Sequence, residues 1–233
     1  MPLGVEVVKV NNGVYDVYVI KDDEYITNTI ANGYEWDGWM REDVEKCYRE
    51  NTEILDIGAN IGYNSLMFSD YGPVYSFEPL FHEIVKMNAE NNTLKHKMHS
   101  VPVALSNENK TTKMYLARKV EETGLRNYGG SSMYTFEGTD YSTETDVRCC
   151  ILDDIYKGFA SFIKIDVEGH ELKVLEGAKN TIKRCNPTIL IEIHDFDKNN
   201  EVHKYLKELG YDDPIERPEC MFLYLAKGIF STI

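Results

Sequence analysis

The sequence predicts an α/β fold: a largely parallel sheet covered by helices on both faces, with a hairpin-and-helix extension ahead of it. Three observations carry this expectation. From residue 53 onward, short apolar runs alternate with amphipathic stretches; an acidic residue and a glycine-rich turn close the first run; and a second acidic residue closes the next. Such alternation implies right-handed crossovers between parallel strands.

The pattern divides the 233 residues into an extension, 1–50, and a core domain, 51–233. In the extension, the β-rich runs 5–10 and 14–20 flank Asn11-Asn12-Gly13, whose Asn-Gly step suits a hairpin turn. Residues 36–49 carry apolar positions at helical spacing. In the core domain the expected order is strand 53–57, helix 64–70, strand 74–77, helix 81–91 and a third strand at 99–104. After a gap come strand 162–165, helix 170–183, strand 188–193, helix 200–209 and strand 221–226. Residues 118–141 interrupt the alternation. They hold Gly124, Gly129, Gly130 and Gly138 among hydroxyl and acidic residues, and a loop of that length in a compact domain is expected to be a lid or binding loop.

Charge and cysteine usage exclude several function classes. A formal net charge of −14 repels phosphate backbones, so nucleic acid is not an expected partner. Five cysteines, an odd number without a C-x-x-C pair, fit neither a zinc knuckle nor a disulfide framework, and a reducing compartment suits them best. No basic-then-apolar leader and no run of roughly 18 apolar residues is visible, so membrane insertion is not expected and a cytoplasmic location is.

The turn Asp56-Ile57-Gly58-Ala59-Asn60-Ile61-Gly62 decides the ligand class. Counting from Gly58, the places a dinucleotide fingerprint needs for glycine hold Asn60 and Tyr63, and the Gly-Lys-Ser/Thr of a P-loop is missing. A nicotinamide-dependent oxidoreductase is thereby disfavoured. An acidic residue ahead of the glycines suits a cationic ammonium or sulfonium group, and Glu78, closing the second strand, suits vicinal ribose hydroxyls. Asp56, Gly58, Gly62 and Glu78, with Asn60 in the same turn, therefore specify a nucleoside with a positive amino-acid tail: S-adenosylmethionine.

Beyond this turn, Phe77-Glu78-Pro79, Val103-Ala104-Leu105-Ser106, Gly129-Gly130-Ser131-Ser132, the run 162–171 and Ile191-Glu192-Ile193-His194 follow in order. Together with the turn they resemble the FkbM-type methyltransferases, a branch of the class I S-adenosylmethionine-dependent family. The resemblance implies a Rossmann-like, seven-stranded sheet whose last strand is antiparallel. It places Ala104 and Ser106 near the adenine and residues 129–132 near cofactor or acceptor. It also implies O-methyl transfer to a hydroxyl of a sugar or glycan, with a non-sugar metabolite as the alternative acceptor.

An alcohol must lose its proton during methyl transfer, which requires a base or an acidifying metal. Ligands of open α/β sheets bind beyond the carboxyl ends of the strands. That rule selects Asp166, Glu192 and His194, with His170 at the following helix start. Asp166, Glu192 and His194 also suit Mg²⁺, although their spacing does not require a metal. A partner subunit that keeps the fold without catalysis is the rival class, and four proton-competent side chains at the strand ends count against it.

Overall fold

The computed structural model describes residues 4–117, 125–135, 141–197 and 200–228. Val7–Asn11 (β1) and Asp16–Ile20 (β2) pair antiparallel as expected. Asn12 Oδ1 organises their turn by accepting from the N–H groups of Val14 (3.1 Å) and Tyr15 (2.9 Å), and Gly13 takes a φ of +89°. Two helices follow, Ile26–Ala31 (α1) and Met40–Cys47 (α2). The helix expected from residue 36 starts only at Met40, because Asp37 adopts a φ of +51°, which no right-handed helix accepts.

The core then runs Glu53–Ile57 (β3), Tyr63–Phe68 (α3), Val74–Phe77 (β4), His82–Asn91 (α4) and Met98–Val101 (β5). Next come Ala104–Leu105 (β6), Lys110–Ala117 (β7), Tyr141–Cys150 (β8), Leu152–Ile155 (α5) and Ala160–Ile165 (β9). Glu171–Gly177 (α6), Lys179–Cys185 (α7), Thr188–Glu192 (β10), Glu201–Glu208 (α8), Ile215–Glu216 (β11) and Met221–Tyr224 (β12) complete it. The seven-stranded sheet has the order β11-β12-β10-β9-β3-β4-β5, and only β12 runs against its neighbours. β10, β9, β3, β4 and β5 are mutually parallel. The order reverses between β3 and β9, so a crevice opens beyond their carboxyl ends.

Both faces of the sheet are covered, which is why its strands read as continuous apolar runs. Leu55, Ile57, Ile163 and Ile165 belong to one core cluster; Ile54, Phe162 and Leu190 belong to the other, together with Val17 and Val19 of the hairpin. The hairpin is fastened to α4 by Asn88, fully buried, which accepts from Tyr18 N–H (2.6 Å) and donates to Tyr18 O (3.0 Å).

Three expectations change. The third strand ends at Val101; after Pro102, which lacks an N–H, the chain leaves the sheet and β6 pairs with β8 in a separate three-stranded sheet. β7 and β8 form a long antiparallel ladder that apolar periodicity does not reveal, since Lys113 pairs across it with Glu144 and Asp146 at the surface. The helix expected over 170–183 is broken at Ala178, where Gly177 presses on the chain after β6: a Cβ there would lie 2.0 Å from Ser106 O.

Of the expected lid, Gly124 and Gly138 lie outside the described residues. Residues 125–135 pack back onto the hairpin side: Arg126 N–H donates to Asp22 O (2.9 Å), Glu24 N–H to Arg126 O (2.9 Å), and Tyr128 N–H to Asp23 Oδ1 (3.2 Å). Among the described residues no helix is long and apolar enough to cross a membrane, and the five cysteines are free.

Candidate cofactor and acceptor site

The turn after β3 alternates left-handed residues: Gly58 (φ +80°), Asn60 (φ +51°) and Gly62 (φ +81°). Glycine is obligatory at position 58, because a Cβ would stand 1.7 Å from Asp166 O at the end of β9. Glu78 holds this turn to the next one. Its Oε2 accepts from Asn60 N–H (2.9 Å), and its Oε1 from Leu80 (2.7 Å) and Phe81 N–H (3.1 Å). Burial pushes the carboxyl up to about 7 against those three bonds. A carboxylate offers about four acceptor sites. The structure therefore leaves Glu78 room for one ribose hydroxyl where the sequence suggested two.

Asp56 is fully buried, and its place differs from the expected one. It accepts from Ser65 Oγ (2.5 Å) and lies 3.7 Å from Lys164 Nζ, behind the cavity wall instead of on it. Lys164, which the sequence reading did not single out, takes the wall position. Its Nζ reaches Asp166 Oδ2 at 3.1 Å and Gly58 O at 3.4 Å. Burial works against its charge, but Asp166, Asp56 and Asp37 hold the ammonium above the ordinary lysine range. A lone lysine in a strand with every residue buried was the available signal, since such a charge needs partners.

The cavity beyond these strand ends measures about 300 Å³. Gly58, Asn60, Glu78, Ala104, Asp166, His170 and Glu192 all reach its wall; Gly62, Ser106 and the exposed His194 do not. His170 has both ring nitrogens engaged, Nδ1 with Tyr134 Oη (2.9 Å) and Nε2 with Ser106 Oγ (3.0 Å), and burial pushes it down to about 4. It is a neutral hinge between two hydroxyls, and so a weaker base than its position suggested. Tyr128 is a packing anchor, edge-on to Phe81 with its hydroxyl on Asp22, whereas Tyr134 is exposed; nothing is described of the Tyr141 side chain.

Glu168 is the second residue that sequence reasoning missed. It sits on the wall in a left-handed conformation (φ +52°), its carbonyl held by Ser132 Oγ at 2.7 Å. The following Gly169 is also left-handed, and its N–H donates to Glu171 Oε1 (3.0 Å). Burial first, then the charge of Asp166, pushes the Glu168 carboxyl up to about 7, against the pull of His194. Burial and the charges of Asp166, Glu168 and Glu171 raise Glu192 to about 9. Glu168, Glu192 and His194 bring ligand atoms within 4.8 Å of one another. A cation at these strand ends would be held by that trio, while Asp166 is committed to Lys164.

Comparison with known proteins supplies the lineage. The family model of the methyltransferase FkbM domain matches residues 56–212. The chain belongs to the FkbM methyltransferase family. A curated relative of this FkbM chain, hexuronic acid methyltransferase AglP of Haloferax volcanii, is 24% identical over 159 residues, covering 68% of this chain and 63% of its own length. The chain thus spans less than two thirds of that relative. Among solved structures, methyltransferase FkbM from Methylobacillus flagellatus aligns with a TM-score of 0.44 at 16% identity, covering 79% of this chain and 50% of its own. Pyrococcus abyssi tRNA (uracil-54, C5)-methyltransferase in complex with S-adenosyl-L-homocysteine aligns at 0.48 and 14%, covering 95% and 45%.

The seven-strand order with β12 antiparallel, together with the family membership, gives the Rossmann-like class I methyltransferase fold, and S-adenosylmethionine is the cofactor of that family. The FkbM site fits that molecule. Asn60 Oδ1 and Asp37 Oδ1 are buried on the wall without a hydrogen-bond donor among the described residues, and Glu78 keeps an acceptor site for a hydroxyl. Glu78→Gln removes one charge-assisted bond of about 1.5–3 kcal/mol. Calorimetry should show S-adenosylmethionine bound at least about tenfold more weakly; unchanged affinity would move the ribose elsewhere.

Proposed function

We propose that this FkbM protein is an O-methyltransferase acting on a hydroxyl of a sugar or glycan. The observation that carries the reading is the placement of Glu168 on the cavity wall with Asp166 and Glu192, its carbonyl held by Ser132 Oγ at 2.7 Å and its carboxyl pushed up by burial. When bound, the cofactor supplies a methyl group on a cationic sulfur. A Glu168 carboxylate oxygen would take the proton that the acceptor hydroxyl loses on receiving that methyl group, S-adenosylhomocysteine being the other product. Asp166, held by Lys164, and Glu192 offer acceptors that orient neighbouring hydroxyls. The name of the Haloferax relative supports a sugar acceptor.

A base must be deprotonated to act, so kcat/KM should rise about tenfold per pH unit below about 7 and level off above it. Glu168→Gln should abolish that limb and lower turnover about a hundredfold. Labelled methyl transfer across a panel of neutral, amino and acidic sugars tests both. An unchanged profile in the variant would discard Glu168 as the base. Transfer only to non-sugar hydroxyls would redirect the acceptor class, and cofactor binding without transfer to any hydroxylated acceptor would favour a non-catalytic subunit.

A further inference from the structure

The cavity wall is one-sided in charge. Six carboxyls stand on it, Asp37, Glu78, Asp166, Glu168, Glu192 and Glu219, against a single cationic side chain among the described residues, Lys164. That lysine is occupied within the protein: its Nζ lies 3.1 Å from Asp166 Oδ2, 3.4 Å from Gly58 O and 3.7 Å from Asp56 Oδ1. His170 adds no charge, because burial keeps the ring neutral and both of its nitrogens are engaged.

Orphaned polar atoms point the same way. Asp37 Oδ1, Asn60 Oδ1, Asn64 Oδ1 and Glu192 Oε2 belong to wall residues and are buried without a hydrogen-bond partner among the described residues; all four are oxygens. Asn64 is 7% exposed, and its amide orientation is fixed because Nδ2 donates to Asp37 Oδ2 at 2.9 Å. His194 Nε2 comes within 3.2 Å of Glu192 Oε2 but off the line of a hydrogen bond. The orphaned nitrogens, Trp39 Nε1 and Arg126 Nε, belong to residues away from the wall. A buried acceptor without a donor costs free energy, so an occupant of this cavity has to bring donors. The ammonium and ribose hydroxyls of the cofactor meet part of that need. Glu192 closes β10, three strands from β4 and Glu78, and is left for the acceptor. A sugar hydroxyl donates and accepts, so it can pair with these carboxyls whether or not they hold a proton, whereas a carboxylate only accepts. It would meet oxygens of its own kind, or draw a proton into a shared site.

We propose, on the reading that the acceptor is a sugar, that this wall selects it by charge: the acceptor unit carries no acid group, is held through the O–H donors it presents, and a hexuronic acid is excluded. Glu219 is the exposed member of the six carboxyls and stands at the mouth. An entering carboxylate meets Glu219, then Glu192 and Glu168, and finds no side-chain cation on the described wall free to pair with it.

Labelled methyl transfer by the full chain at a pH above the Glu168 limb tests this with three matched probes in the gluco, galacto and manno configurations. They are the methyl hexoside, the corresponding methyl hexuronoside, and the primary amide of that acid, which keeps its shape without its charge. The hexoside and the amide should accept methyl groups, and kcat/KM for the acid should fall at least about tenfold below that for its amide, the effect of one unrelieved like-charge contact. The gap should narrow in Glu219→Lys and as salt is raised. An acid used as well as its amide overturns the proposal. A gap that neither Glu219→Lys nor salt moves would make the exclusion steric and overturns it too. Transfer to none of the three probes, hexoside and amide included, removes the sugar reading itself and the proposal with it.

Discussion

Replacing Lys164 with methionine is expected to destabilise the protein by about 3–5 kcal/mol, the usual result of stripping one partner from a buried ion pair. The lysine side chain is 3% exposed and Asp56 is 0% exposed, so water cannot take over from the ammonium at Asp56. Asp166, a third exposed, can be rehydrated and contributes less. Burial already raises the Asp56 carboxyl, and Lys164 is the strongest group opposing that shift. Without it Asp56 must take up a proton or stay charged in a dry place. The fall in the denaturant midpoint measures the cost, and Asp56→Asn added to Lys164→Met should recover much of it. A loss below about 1 kcal/mol would show that the pair is screened as surface pairs are.

Gly58→Ala should be comparably damaging for a geometric reason. The new methyl would stand 1.7 Å from Asp166 O and 2.9 Å from its carbonyl carbon, so the ends of β3 and β9 must separate. The left-handed conformation adds about 1–2 kcal/mol for any L side chain, and overpacking about 1–3 kcal/mol more. A total of about 2–5 kcal/mol follows, accompanied by loss of S-adenosylmethionine binding, because Lys164 and Asp166 are set by this contact. Gly13→Ala is the control: its φ is +89° but nothing lies within 4 Å of the added Cβ, so only the conformational part should appear. Equal thermal shifts in the two variants would refute the close approach.

The sheet was legible because strands covered on both faces are short apolar runs, and Ile54-Leu55-Asp56-Ile57 and Phe162-Ile163-Lys164-Ile165 contain little else. Where the pattern is polar, as in β7 and β8, hydrogen bonding sets the strand and periodicity is silent. At the site, Glu78 and Gly58 were readable from their places at strand ends. Asp56 was readable as a charge but not in its direction, which depends on Lys164 across the sheet. Lys164 and Glu168 lie inside the segment most specific to the family, yet their roles depend on burial that no one-dimensional pattern reports.

The stitching of residues 125–135 to the hairpin through Asp22 and Asp23 bears on how such a protein can diversify. The span shared with the family, 56–212, contains the turn, Glu78, the strand-end carboxyls and the 125–135 loop, whereas Asp22 and Asp23 lie ahead of it. A recombinant that exchanges only the first fifty residues between relatives would import one half of a sewn seam without its thread. Because these hydrogen bonds join residues 22–24 to residues 126–128, a graft that moves the first fifty residues has to move the 125–135 loop with them to keep the seam.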